Sequence, residues 1–322
     1  MNYTDRIYGK TSIKEPVILD LIKTHSLERL KYVDQGGYYE PYCPGSSHSR
    51  FEHSMGVYLL LRKYKAPLAE QVAGLIHDVS HSAFSHCMDY VVRGKSQKDQ
   101  SYQDTIFERF VRKSEIPAIL SAYGFDLDYI LEDRNFPLKE TELPDLCADR
   151  LDYSLRAMVI FKVTSRRAVL DLLGDLTVKD NRWMFRNFTS AQKFARLFRE
   201  LNNAHYCGLD TAVMFVTVSD YLRHALQQNY ITKQDLYTTD RAVLAKIKRH
   251  LKRDAHLRKL FRRMNNLVPF KNDPHDYSIR IFNKSRVVDP LFIERGKFRR
   301  VSSRDTEWKK SFAKKQSPGN TF

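Results

Sequence analysis

A chain of 322 residues, 42% of them hydrophobic and with a mean hydropathy of −0.51, can bury a full core as one large domain or two smaller ones. No apolar run approaches the roughly 18 residues of a membrane-spanning helix, and MNYTDRIYGK lacks the basic-then-apolar order of a signal peptide; a soluble, cytoplasmic protein with no membrane partner is expected. The net charge of +16 lies wholly in the last quarter, with 23 Lys/Arg against 7 Asp/Glu from Arg241 onward and 31 of each in residues 1–240, which suits an acidic partner such as nucleic acid or a nucleotide, or else a solvated, oligomer-facing arm.

Residues 3–12 read as a short extended or irregular opening. In KEPVILDLIKTHSLERLKYVD, the spacing of Val17, Leu19, Ile22, Leu27, Leu30 and Val33 predicts one or two short helices, with Pro16 in a first turn. QGGYYEPYCPGSSHSR is a loop by its Gly, Pro and Ser content. A helix is predicted over 49–64 and broken at Pro67; the next ends at His77-Asp78, with Val72, Ala73, Leu75 and Ile76 on its buried face. SHSAFSHCMDYVV predicts a turn leading into a helix, and 94–103 a polar loop. Short helices follow over 104–111, 114–123 and 125–131. Pro144 opens a helix that carries Asp149 and runs to about Phe161. LTVKDNRWMFRN holds two alternating runs around Lys179-Asp180-Asn181, a hairpin signal. Helices over 191–207, 209–228 and 240–264 come next, the last basic on most faces. YSIRIF, RVVDPLFI and KFRRVS then predict short strands ahead of a loose tail. The expected class is all-α, mainly helical, with small β-hairpins and a β-rich C-terminal segment. Two units are expected, 1–235 and a basic helical and β extension over 236–322.

The chemistry concentrates between Ser49 and Tyr90, where His53, His77, Asp78, His81, His86 and Asp89 lie among apolar helical runs. Imidazoles combined with carboxylates suit a divalent transition metal (Mn, Fe, Co, Ni or Zn) better than Mg, which prefers all-oxygen shells. Asp149, in PDLCADRLDY, supplies a further carboxylate. The cysteines Cys43, Cys87, Cys147 and Cys207 form no CxxC and suggest neither a thiolate zinc site nor a disulfide framework.

His53, His77-Asp78 and Asp149 resemble the H...HD...D signature of the HD-domain phosphohydrolases. RFEHS, AGLIHDVSH, FSH and ADRLDY resemble the branch containing the deoxynucleoside triphosphate triphosphohydrolases, over roughly residues 1–230. The resemblance implies a helical HD-domain fold, metal ligands His53, His77, Asp78 and Asp149, and a nucleotide or related phosphate ester as substrate. Mg accompanying the substrate phosphates and a homo-oligomeric assembly are further expectations. Gln35, Arg50, Arg150 and Tyr153 match substrate-binding positions. His81, His86 and Asp89 are the acid-base candidates, with His81 favoured as the acid and Asp89 orienting an imidazole. Three departures stand against it: Gln103-Asp104 where relatives carry His-Glu, Ala157 where they carry a carboxylate, and the Asn203 region where they carry an arginine. The resulting expectation is a metal-dependent nucleotide phosphohydrolase; the alternative is a catalytically weak nucleotide sensor or nucleic-acid-binding HD protein.

Overall fold

The structure is a computed structural model that describes residues 1–92, 102–271, 273, 275 and 285–315, apart from the side chains of 311 and 313–315. One helix, packed against two others, brings the cluster of histidines and aspartates together. The Arg50–Lys63 helix starts at a capping box: the Ser49 hydroxyl accepts the Glu52 N–H at 3.1 Å, and the Glu52 carboxylate accepts the Ser49 N–H at 3.0 Å. From Arg50 to Leu61 every residue except Glu52 is buried, so this helix is wrapped on all sides. The Leu68–Ile76 helix packs against it and is buried from Glu70 to Ile76. The Ala148–Ile160 helix crosses it at Gly56, where a Cβ would lie 2.0 Å from Asp152 Oδ1. Only glycine permits that approach.

Three apolar clusters hold these elements. One, with Val57, Leu151, Trp183, Phe194 and Phe292, ties the Ala148–Ile160 helix to the Phe188–Leu201 helix and the main sheet. A second, with Ile18, Leu30, Tyr58 and Leu75, closes the N-terminal segments over the first two helices. The third, with Phe84, Met88, Val218, Val243 and Leu260, packs the Cys87–Val91 and Leu209–Gln227 helices against the basic Asp240–Lys248 and Ala255–Met264 helices.

Strands β1 (Asn2–Asp5) and β2 (Gly9–Ser12) form an antiparallel hairpin, so the opening is regular. Strands β3 (Leu176–Lys179) and β4 (Arg182–Phe185) are antiparallel and joined at Asp180 and Asn181, whose φ values of 49° and 54° fit a twisted two-residue turn. Strand β5 (Leu291–Glu294) pairs parallel with β4, and β6 (Lys297–Arg300) antiparallel with β5, giving the order β3-β4-β5-β6. The mainly helical class with a β-containing C-terminal segment is therefore observed.

Several local expectations differ. The basic run over 240–264 is two helices, because Asp254 caps the second by accepting the Leu257 N–H at 2.8 Å. The helix expected over 191–207 ends at Leu201 and passes into a π-turn, Asn202–Tyr206. RVVDPLFI is extended into the sheet only from Leu291, and YSIRIF lies outside the described residues. Of the expected loose tail, Thr306–Lys315 is a helix capped by Asp305 and anchored by buried Trp308, over whose ring Arg199 sits at 4.9 Å, and 316–322 lie outside the described residues. Among the described residues no helix is long and apolar enough to cross a membrane.

Candidate metal centre

His53 and His77 project from neighbouring helices, and their Nε2 atoms lie 3.2 Å apart. Their other ring nitrogens are committed. His77 Nδ1 faces the Gly74 carbonyl at 2.8 Å, and His53 Nδ1 faces Asp152 Oδ2 at 2.8 Å. A carbonyl and a carboxylate only accept, so each Nδ1 donates its proton and each ring turns Nε2 inward as the atom left for a cation, whether a proton or a metal ion. Asp149 Oδ1 completes the group, 2.8 Å from His53 Nε2 and 3.4 Å from His77 Nε2. Asp78 stands beside it, with Oδ1 3.5 Å from His77 and Oδ2 3.7 Å from His53, while Oδ2 also accepts Arg50 at 2.7 Å.

Lone pairs and carboxylates so arranged repel one another unless a cation lies among them. Burial opposes charge on His53, yet the bonds to Asp149 and Asp152 and the field of Asp78 prevail and raise its pKa to about 9. Burial likewise opposes charge on Asp149, and the two histidines hold it well below the usual carboxylate range. Two imidazoles and the Asp149 carboxylate form one group of ligand-type atoms, with Asp78 beside it, and such a donor set fits a divalent transition ion. Glu140, Cys147 and Asp149 form a second grouping of ligand-type atoms. The Arg150 guanidinium, 3.2 Å from Cys147 Sγ and 3.5 Å from Glu140, already supplies the cation there.

Each candidate ligand is fixed from behind. Asp152 is fully buried and accepts Arg156 Nε at 3.1 Å, Arg156 Nη2 at 2.9 Å and the Tyr8 hydroxyl at 2.8 Å; Arg156 also pairs with Asp5 at 3.1 Å. Asp149 sits where the Ala148 and Asp149 N–H groups donate to the Leu138 and Lys139 carbonyls at 2.7 and 3.3 Å. That turn is itself tied down by Glu70, which accepts the Leu138 and Lys139 N–H groups.

A cavity of about 610 Å³ opens from this cluster, lined by His77, Asp78 and Asp149 and by the sequence-selected Gln35, Arg50, His81, His86, Arg150 and Tyr153. His53 lies behind that lining, and Asp89 bonds to it through His86, with His86 Nδ1 3.3 Å from Asp89 Oδ2. Asp89 thus orients His86, while His81 Nε2 lies 3.4 Å from Asp78 Oδ1. Burial and the Arg50 charge push the His81 pKa down to about 3, and burial also lowers that of His86. Burial raises the Tyr153 phenol to about 12, keeping it a hydroxyl.

Arg50 and Arg150 direct their donors largely to protein. Arg50 reaches Asp78, the Gln35 carbonyl at 2.6 Å and Ser85 Oγ at 3.0 Å; Arg150 reaches the Asp145 carbonyl at 2.7 Å and the Thr141 carbonyl at 3.2 Å. Gln35 Oε1 is buried without a hydrogen-bond partner among the described residues. Gln103 anchors the His77–Ser80 turn: its amide nitrogen donates to the His77 carbonyl at 3.1 Å and its oxygen accepts the Ser80 hydroxyl at 2.5 Å. Ala157 lies in the cavity wall.

Sequence reasoning misses the aromatic wall, Tyr39, Phe161, Tyr206 and Phe215, and the cations Lys139 and Arg286. The tyrosines of GGYYEPY carry a signal that reads only as a loop; Arg286 has none, being one arginine among many.

An HD domain model matches residues 50–156. YdhJ of Bacillus subtilis is 32% identical over 296 residues, covering 91% of this chain and 89% of that protein. The metal-dependent phosphohydrolase cns2 of Cordyceps militaris is 36% identical over 157 residues, 49% of this chain and 45% of its own. The deoxynucleoside triphosphate triphosphohydrolase SAMHD1 of Gallus gallus is 28% identical over 263 residues, covering 70% of this chain and 42% of its own length. The chain therefore spans less than half the length of each of the latter two.

Proposed function

Because this chain belongs to the HD-domain family, we propose that it is a metal-dependent phosphohydrolase of the cytoplasm that cleaves a nucleotide or a related phosphate ester. The observation that carries this reading is the convergence of the two inward-turned Nε2 atoms and Asp149 at the head of the cavity. His53, His77, Asp78 and Asp149 hold the ion, which is Mn, Fe, Co, Ni or Zn; Mg accompanies the substrate phosphates. A divalent ion bound there supplies Lewis-acid polarisation of a phosphoryl oxygen and acidifies water.

The chain's own residues do the rest. Asp152 keeps His53 in one tautomer, and Arg50 fixes the Asp78 carboxylate. His86, its Nδ1 proton held by Asp89 and its ring neutral, turns a bare Nε2 to the cavity, where it is placed to take a proton from the attacking water. His81 stays neutral and, with Nε2 turned to Asp78, helps Arg50 hold that carboxylate in place. Arg150 and Tyr153 contribute positive charge and a hydroxyl, and Gln35 offers its unpartnered Oε1 to a donor on the substrate. The aromatic wall of Tyr39, Phe161 and Phe215 suits a planar base. Residues 1–235 are the hydrolase unit and 236–322 the basic extension.

A second reading rests on the two basic helices and the turn between them, where Arg241, Lys248, Arg249, Lys252, Arg253 and Lys259 are all exposed. That cationic surface supports nucleic-acid binding, or homo-oligomer contacts with acidic surfaces, beside a weakened catalytic site. The test is the metal-loaded full chain against nucleoside mono-, di- and triphosphates with product analysis. Turnover of at least one ester is expected; none with any of the five metals would favour the sensor, and salt-dependent polynucleotide binding would support it.

A further inference from the structure

Segment 285–290 has no helix or strand, yet it is pinned at both ends. At one end Asn202, fully buried at the π-turn, accepts the Arg286 N–H through Oδ1 at 2.9 Å and donates to Ser285 Oγ at 3.1 Å. At the other, buried Asp289 donates its N–H to the Pro144 carbonyl at 3.0 Å and accepts the Ser302 N–H at 2.9 Å and its hydroxyl at 2.5 Å. The segment thus forms a fixed strap from the π-turn to the sheet. Its Arg286 side chain lines the cavity that holds His77, Asp149, His86 and Tyr153.

The cavity needs such a group. Asp78, Asp104, Glu108, Asp133, Glu140 and Asp149 all line it. An acid-lined wall of this kind opposes a polyanion unless a cation faces it, and a guanidinium matches phosphate oxygens in a bidentate fork. Resting on the phosphohydrolase reading, we infer that Arg286 is a substrate-binding residue that contacts the phosphate chain, and that Asn202 is the residue positioning it. One basic residue of the C-terminal extension thereby belongs to the hydrolase site.

The test uses the full-length, metal-loaded protein with inorganic pyrophosphate as the probe in calorimetry, alongside KM for any nucleotide that turns over. Arg286→Ala is expected to weaken pyrophosphate binding about tenfold or more at unchanged metal content, with Arg286→Lys recovering part of the loss. Asn202→Asp keeps the acceptor for the Arg286 N–H but not the donor to Ser285, and is expected to give a smaller loss in the same direction. Pyrophosphate affinity and KM unchanged in Arg286→Ala would overturn the assignment. So would loss of metal from that variant, which would make Arg286 a structural residue. Pyrophosphate binding that depends on Arg286 in a protein that hydrolyses no nucleotide would sustain the anion contact and sink the phosphohydrolase reading instead.

Discussion

Asp152→Asn isolates the support behind the metal centre from the ligands themselves. The substitution keeps volume but removes the charge that His53 Nδ1 faces at 2.8 Å. Loss of such a partner lowers metal affinity about 10- to 100-fold, which is ~1.4–2.7 kcal/mol. The fold also loses something, because Arg156 is fully buried and bonds Asp152 at 3.1 and 2.9 Å. Arg156 retains Asp5 at 3.1 Å, so the cost should be about 1–3 kcal/mol rather than the ~3–5 kcal/mol of a buried charge stripped of its partner. Competition for the ion against a chromogenic chelator measures the first quantity, and denaturant unfolding of the metal-free protein the second. The variant should still bind at full stoichiometry, only more weakly. Unchanged affinity would refute the claim that Asp152 sets the tautomer and basicity of His53; abolished binding in a folded variant would mean that Asp152 is itself a ligand.

Gly56→Ala puts a Cβ 2.0 Å from Asp152 Oδ1 and 2.2 Å from Arg156 Nη2, so it should destabilise the fold by ~1–3 kcal/mol and weaken metal binding with it, read by unfolding and by the same chelator competition. Asp240 accepts the Asp34 and Phe84 N–H groups, each at 2.8 Å, and burial, opposed by those bonds and reinforced by Asp34, raises its pKa to about 8. A carboxyl raised above its unfolded value near 4 contributes stability that is complete below about pH 4 and is lost as pH rises through about 8. The stability difference between the wild type and Asp240→Asn should therefore change in the wild type's disfavour between pH 4 and 8; a difference flat across that range would show that Asp240 titrates normally. Gln103→His gives up the paired bonds to His77 and Ser80, so it should loosen the His77–Ser80 turn and lower the melting temperature. A gain in triphosphate hydrolysis without that loss would show that the missing histidine, and not the anchoring amide, limits the site.

Much of the centre is legible in the sequence because the signal is local. His77-Asp78 follows a run of apolar residues spaced for a buried helix, and the His53 helix opens with a Ser-x-x-Glu cap that the structure forms. The hairpin at Asp180-Asn181 is legible for the same reason: two residues with positive φ between alternating runs. What the sequence conceals depends on distant partners. Asp152 lies three residues from Asp149, but its role appears only once Gly56 admits it to His53, 99 residues away in the chain. Arg286 looks like part of a solvated basic tail until Asn202 and the parallel pairing of β5 with β4 bring its segment to the cavity. The break at Asp254 is hidden because the side chain that caps the second helix also serves His224 and Tyr230, at 2.6 and 3.0 Å.

The most direct test titrates metal-free protein with Mn²⁺ while following phosphate release from the best nucleotide substrate. Activity is expected to start near zero, rise in proportion to added metal, and level off at about one ion per chain, with His77→Ala and Asp149→Ala flat throughout yet folded by circular dichroism. Full turnover in excess chelator, or undiminished metal-dependent turnover in Asp149→Ala, would contradict the assignment of His53, His77, Asp78 and Asp149 as the metal centre of a phosphohydrolase.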